Sequence, residues 1–402
     1  MNIYFSGING TGIGPLALLA HEAGFKVFGS DAKRGAIYDD LIDCGVEFKI
    51  GPQDGAYLQT VYDTAGLDWF VYTSALPVDH PELVLARKLG LKTTKRDGLI
   101  NLIIKEKGFK LIAVAGTHGK TTVTAMLVWV FEQLGLPLSY LVGTTLPFAK
   151  SGQFNSDARY FAYECDEYDY NFLKFYPDLA LITNVAYDHQ NVYPTKADYD
   201  KAFAQFEKQS SSVIHSQISS ESGLTLPGIH NRQNATLVID GLTKLGVETD
   251  RAKLVKVLNQ FPGSGRRFEK LADNLYTDYA HHPEEIAATI EMAHELADKV
   301  AVIYQPHQND RQHKVKDDYK RAFAGAARIY WLPTFLTREN PDLPVLTPME
   351  LISTLKDPSI ARPVELNDQL VADIKQLLKD DYLVVLMSAG PADTWLRQQF
   401  VK

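Results

Sequence analysis

Cysteine is almost absent from these 402 residues: Cys44 and Cys165 are the only two, far apart and without metal-type spacing. That excludes a disulfide scaffold or a zinc knuckle and suits two free thiols in a reducing compartment. Positive charge is short as well. Lys and Arg number 41 against 49 Asp and Glu, for a net charge of −8, so nucleic acid is not expected as a partner. Long apolar runs are missing too, none approaching the roughly 20 residues that a spanning helix needs. The amino terminus, MNIYFSGING, enters a strand at once, with neither a basic segment nor an apolar leader. The expectation is a cytoplasmic protein, monomer or homodimer, that acts on small molecules away from the membrane.

What is present is an ordinary globular composition, 45% hydrophobic and 22% charged, in a chain too long for one core. Short apolar runs alternate with helical patterns almost throughout, which predicts parallel α/β layers. Strands are expected at 2–7, 26–31 and 67–75, then at 110–116, 159–164 and 179–184. Further strands fall in NLYTDYA, KVAVIYQPH, RIYWLP and YLVVLMSAG. The serine-rich stretch 208–223 reads as a surface loop, and 228–242 as a helix. Three domains follow: 1–108, 109–262 and 263–402.

The segment AVAGTHGKTT (113–122) has the strand, loop and helix context of a phosphate-binding loop. It departs from G-x-x-x-x-G-K-[ST], because Val114 stands where the first glycine belongs. Backbone N–H groups at a helix start, aided by the helix dipole, receive an anion. On that pattern Gly116, Thr117, His118, Gly119 and Thr122 form the cradle, Lys120 meets phosphates and the Thr121 hydroxyl meets Mg2+. Downstream, a strand ends at Glu164 in an acidic run with Asp166, Glu167 and Asp169, and TNVAYDH delivers Asp188 and His189 to the same edge. A hard cation bridging phosphates accepts such ligands.

The first glycine cluster, GINGTGIG (7–14), is not G-x-G-x-x-G, since position 15 is proline. Asp31 ends the second strand as a ribose-binding acid would, which admits an NAD-linked oxidoreductase as a reading. That reading leaves GTHGKTT without a purpose, and a turn cradling some diphosphate fits equally well. In the third region, DYAHHPEE places Asp278, His281 and His282 at a strand end. YQPHQNDR places His307 and Arg311 at another. Strand carboxyl ends are where open α/β sheets hold ligands.

Taken in order, GINGTGIG…VFGSD, AGTHGKTT, ECDEYD…ITNVAYDH, GIHNRQNA, SGRRFE, DYAHHPEE, YQPH…R and SAGPAD resemble the Mur ligase family, the ATP-dependent amino-acid-adding enzymes of peptidoglycan synthesis. The resemblance implies a Rossmann-like domain that binds a UDP-sugar, a central P-loop ATPase-type parallel sheet and a Rossmann-like carboxyl-terminal domain for the amino acid. It implies ATP and Mg2+, with Lys120 on phosphates and Thr121, Glu164 and His189 on the metal. His230, Asn231 and Asn234 fall in the adenine-contacting motif, and Arg267 and Asp278 in nucleotide-contacting positions. His281, His307 and Arg311 would line the amine's site. Gly10, Thr11, Gly12, Ile13, Ser30, Asp31 and Ser74 would meet UDP-N-acetylmuramate. The incoming amine would be an amino acid, L-alanine first, or a murein tripeptide; a nucleotide-binding homologue without activity is the other reading. The stretch between His189 and Gly228 is shorter than the family usually has, which implies a shortened central sheet. Gln308 stands where an arginine is common.

Overall fold

The computed structural model describes residues 1–401 except Ala36, Ser74, Ala75, Gln190, Asn191 and Arg338. Three sheets follow one another along the chain. The first holds β1 (Asn2–Ser6), β2 (Lys26–Asp31), β3 (Glu47–Ile50), β4 (Trp69–Tyr72) and β5 (Lys92–Lys95), in the order β3-β2-β1-β4-β5. All its pairings are parallel. Its order reverses at β1, which puts the glycine-rich turn after β1 at the crevice where such sheets bind ligands.

The second sheet holds β6 (Lys110–Ala115), β7 (Ser139–Leu141), β8 (Gly152–Gln153), β9 (Tyr160–Glu164), β10 (Leu179–Ile182) and β11 (Val213–His215). Its order is β11-β10-β6-β9-β7-β8, with β8 alone antiparallel to its neighbour. β6 is buried from Leu111 to Ala115, as expected of a central parallel strand covered on both faces. The third sheet holds β12 (Glu269–Ala272), β13 (Leu275–Asp278), β14 (Val300–Gln305), β15 (Arg328–Trp331), β16 (Ala361–Pro363) and β17 (Leu383–Ser388), in the order β12-β13-β17-β14-β15-β16.

Residues 208–223, expected as a surface loop, are not loop throughout, since Val213–His215 pairs with β10 as the sheet's edge strand. Three residues flanked by serines are too short to show a period, and only the neighbouring strand's open edge makes them a strand.

By contacts the chain forms two units. One is Met1–Leu224 with Gln233–Phe261, and the other is Thr225–Arg232 with Pro262–Lys402. The first two sheets share a unit because they share a core. Leu16, Leu19, Ile100 and Ile103 belong to one apolar cluster with Phe109, Leu111, Phe161 and Phe206. The helix Ile229–Leu245 starts in the second unit and continues in the first. No helix among the described residues is long and apolar enough to cross a membrane.

Candidate active site

The loop after β6 is shaped by what its glycines cannot carry. Gly116 has φ +130°, and a Cβ there would lie 2.1 Å from Thr183 Oγ1 and 2.7 Å from the Asn184 carbonyl. The turn of β6 therefore packs directly on the end of β10, which explains the glycine at 116 and leaves Val114 free to be an ordinary buried strand residue. Around this bend Thr117 N–H donates to Asn184 O at 2.9 Å, and His118 N–H to Asn184 Oδ1 at 2.8 Å. Thr117 Oγ1 donates to Ala186 O at 2.7 Å. Gly119, with φ +86°, opens the helix Lys120–Gln133, and its missing Cβ faces the Asn234 amide at 3.0 Å.

Lys120 curls back over this loop. Its ammonium donates to Gly116 O at 2.6 Å and to Glu167 Oε2 at 2.7 Å. Glu167 is fully buried, and its other oxygen lies 3.3 Å from His189 Nε2. Burial works against the charge on Glu167, but Lys120 and His189 outweigh it and hold the carboxyl below its ordinary value. Burial likewise opposes the charge on Lys120, and Glu167 with Asp166 and Glu164 more than restores it. Beside this pair, Thr121 Oγ1 donates to Glu164 Oε1 at 2.6 Å, and Gly143 N–H donates to Glu164 Oε2 at 3.1 Å.

The expected metal residues thus divide: Thr121 pairs with Glu164, whereas His189 pairs with Glu167, which was not among them. Ligand atoms of Asp166, Glu167 and His189 lie within 4.8 Å of one another. Carboxylate and hydroxyl oxygens with one imidazole suit a hard divalent cation. Glu167 is the residue that sequence reasoning passed over. The acidic run advertised it, but only its full burial separates it from half-buried Glu164 and Asp166 and exposed Asp169.

A second site in the same unit is a cavity of about 380 Å3. Gly10, Thr11, Gly12, Ile13 and Asp31 line it from the first sheet. Asp31 Oδ2 accepts from Asn9 N–H at 2.9 Å and so braces the glycine turn. Lys95 and Arg96 add two cations that the motifs did not predict, and Tyr163, Asp166, Tyr168 and Asn171 close the cavity from the second sheet. Ser30 does not line it. Its buried hydroxyl donates to Glu82 Oε1 at 2.6 Å. Ser74 lies outside the described residues.

The acidic loop after β9 faces both sites. Lys95 pairs with Asp169 at 2.7 Å, Arg96 approaches Asp166 at 3.9 Å, and Asp97 pairs with Lys174 at 2.8 Å. Three successive residues at the start of the helix Arg96–Lys107 thereby hold the segment that carries Glu167. Within it Asp169 and Tyr170 both take left-handed backbone, at φ +57° and +56°.

In the second unit the candidates gather at the carboxyl ends of β13 and β14. Asp278 accepts from Phe268 N–H and Ala280 N–H, each at 2.7 Å, and burial pushes its carboxyl up to about 6 despite Arg267 nearby. His281 Nδ1 lies 3.0 Å from Tyr279 O, and the His281 ring stands 5.6 Å from that of His307. Burial depresses the basicity of His281, and Arg311 adds to that against the opposing charge of Glu285. Arg267 stands over the Tyr279 ring at 5.1 Å. Of the adenine set, Asn234 is buried against the phosphate loop, His230 is exposed, and the Asn231 amide donates to Pro227 O at 2.9 Å. Gln308 caps the helix Asn309–Val315 with φ +62°.

Comparison with known proteins agrees along the chain's length. The Mur ligase family, catalytic domain, matches residues 2–107; the Mur ligase middle domain matches 114–215; and the Mur ligase, glutamate ligase domain, matches 266–390. A UDP-N-acetylmuramate–L-alanine ligase of Clavibacter michiganensis is 30% identical over 84% of this chain and 80% of its own length. That of Frankia casuarinae is 29% identical over 98% and 96%. The crystal structure of UDP-N-acetylmuramate–alanine ligase from Thermotoga maritima superposes with a TM-score of 0.78 at 23% identity, covering 99% and 98% of the two chains. A murein peptide ligase from Psychrobacter arcticus superposes at 0.65, with 23% identity and the same coverage.

Proposed function

This chain belongs to the Mur ligase family, whose ligases are ATP-dependent, and we propose that it joins L-alanine to the carboxylate of UDP-N-acetylmuramate with release of ADP and phosphate. The observation that carries this reading is the Lys120–Glu167–His189 constellation on a phosphate-type loop, set beside Thr121–Glu164. The choice of L-alanine rests on the names of the relatives.

The muramoyl carboxylate and the γ-phosphate of ATP are both anions, so their approach needs concentrated positive charge. Lys120 supplies it once an incoming phosphate replaces Glu167 as its partner. Thr121, Glu164 and His189, with Glu167, would hold Mg2+, which neutralises phosphate charge when bound. The loop amides after Gly116 would receive the phosphates. His230, Asn231 and Asn234 would meet the adenine, and Arg267 and Asp278 the rest of the nucleotide. Gly10, Thr11, Gly12, Ile13 and Asp31, joined by Lys95 and Arg96, would hold the UDP-sugar. An acyl phosphate formed on the muramoyl group is then attacked by the amine, in a pocket of His281, His307 and Arg311. Water must be kept from that intermediate, which is one use for a multi-domain ligase.

The experiment is phosphate release from ATP, Mg2+ and UDP-N-acetylmuramate, screened over amino acids and murein tripeptide. Release that depends on L-alanine is the expected result. Release only with tripeptide reassigns the acceptor, and none with any amine overturns the reading.

A further inference from the structure

The ring of His281 has its proton placed by its surroundings. Nδ1 lies 3.0 Å from the carbonyl oxygen of Tyr279 and 3.5 Å from Glu285 Oε2. A carbonyl and a carboxylate only accept, so Nδ1 carries the hydrogen and Nε2 keeps the lone pair. Glu285 is itself fixed, because its Oε2 accepts from His281 N–H at 3.0 Å and from His282 N–H at 3.2 Å. A third contact holds the backbone, with Tyr304 Oη donating to His281 O at 3.3 Å. The side chain keeps 17% exposure and stands beside His307. An imidazole with one nitrogen held by a carbonyl oxygen and a carboxylate beside it presents its other nitrogen at a set point, as a group that must take a proton there requires.

We propose that His281 Nε2 is the general base of the amine-transfer step and that Glu285 is its positioning residue. This rests on the ligase reading above and goes beyond it by naming the atom and its support. In the step, the amine nitrogen bonds the acyl carbon, the carbon–oxygen bond to phosphate breaks, and phosphate leaves. The α-amine arrives as an ammonium and gives up two protons: one passes to Nε2 and frees the attacking lone pair, and the other, shed as the amide forms, leaves on the phosphate. The groups around the ring suit a base. Burial and the cations Arg311 and Arg267 depress its basicity, while Glu285 and the Tyr279 carbonyl oppose them. The balance keeps the imidazole neutral, which a base requires before it acts.

Hydroxylamine separates this role from binding. It is largely neutral near pH 7.5 and traps an acyl phosphate as a hydroxamate without help from a base, whereas an α-amine is largely cationic there. In His281→Gln, L-alanine-dependent phosphate release should fall about 100-fold or more, while hydroxamate formation from UDP-N-acetylmuramate stays within about twofold of the unmodified protein. Equal loss of both, or retention of both, overturns the assignment. If the unmodified protein forms neither product, the ligase reading fails and the assignment fails with it. Glu285→Gln gives an independent check that keeps the acceptor. Removing its charge lowers the basicity of His281, so the acid limb of kcat/KM for L-alanine should move to lower pH. An unmoved or oppositely moved limb overturns the role of Glu285.

Discussion

Lys120 and Glu167, 47 positions apart in the chain, form a 2.7 Å ion pair in which the carboxylate is wholly buried. The pair neutralises the lysine, so a phosphate drawn to Lys120 would have to take the place of Glu167. Its cost and its use can be told apart. Lys120→Ala takes the ammonium from a buried carboxylate and leaves it only His189 and the Tyr199 hydroxyl, which should cost about 3 kcal/mol, read as a lower urea midpoint, together with loss of phosphate release. In Lys120→Ala/Glu167→Gln most of the stability should return and none of the activity. If the double variant is no more stable than the single, the pair is not the source of the loss.

Gly116→Ala should destabilise by about 2–4 kcal/mol, because it combines left-handed backbone with a side chain driven into Thr183 and Asn184. Gly24 has φ +91° but no atom within 4 Å of its Cβ position. Gly24→Ala should therefore cost only about 1 kcal/mol. Thermal melts of the two variants check the difference, and equal losses would remove the packing argument.

The Lys95–Asp169 pair is partly exposed, and its loss should change stability by less than about 1 kcal/mol. Lys95 also lines the 380 Å3 cavity. Lys95→Ala is thus expected to raise KM for UDP-N-acetylmuramate about tenfold or more while the melting temperature barely moves. An unchanged KM would take the cavity out of the sugar-nucleotide site.

Asp278 gives a pH signature. Its carboxyl titrates at about 6 in the folded chain against an ordinary 3.8, so the folded state holds its proton longer than the unfolded state does. Its contribution to stability therefore falls as pH rises from about 4 to about 6, by roughly 3 kcal/mol in all. Relative to Asp278→Asn, the unmodified protein should lose ground across that window and run parallel above it. Urea titrations at pH 4, 5, 6 and 7 measure this, and parallel curves throughout would refute it.

The sequence was most legible where a residue's role is local. The strands before both glycine loops, the turn at Gly116 and the polar ends of β13 and β14 follow from spacing and residue type. Glu167 was not legible, because four carboxylates in six positions look alike until one is buried under Lys120. Lys95 and Arg96 were missed for a related reason: they sit in no motif and join the cavity only because β5 lies at the end of a sheet whose order is set by tertiary pairing. Residues 213–215 became a strand only through their neighbour. Ser30 sits near the strand end as its motif suggested, but its hydroxyl donates to the buried Glu82 carboxylate, a partner no motif announced.

The segment from Glu164 to Lys174 is anchored at both ends of its course, to Thr121 and Lys120 on one side and to Lys95 and Asp97 on the other. Its length is therefore not adjustable. One inserted or deleted residue would shift either the carboxylate meeting Lys120 or the one meeting Lys95 out of register, and two successive left-handed residues leave no slack to absorb it. Elsewhere on the surface the chain can grow or shrink at little cost. Here a change in length is expected to disable both sites at once, and restoring one would require rebuilding the other.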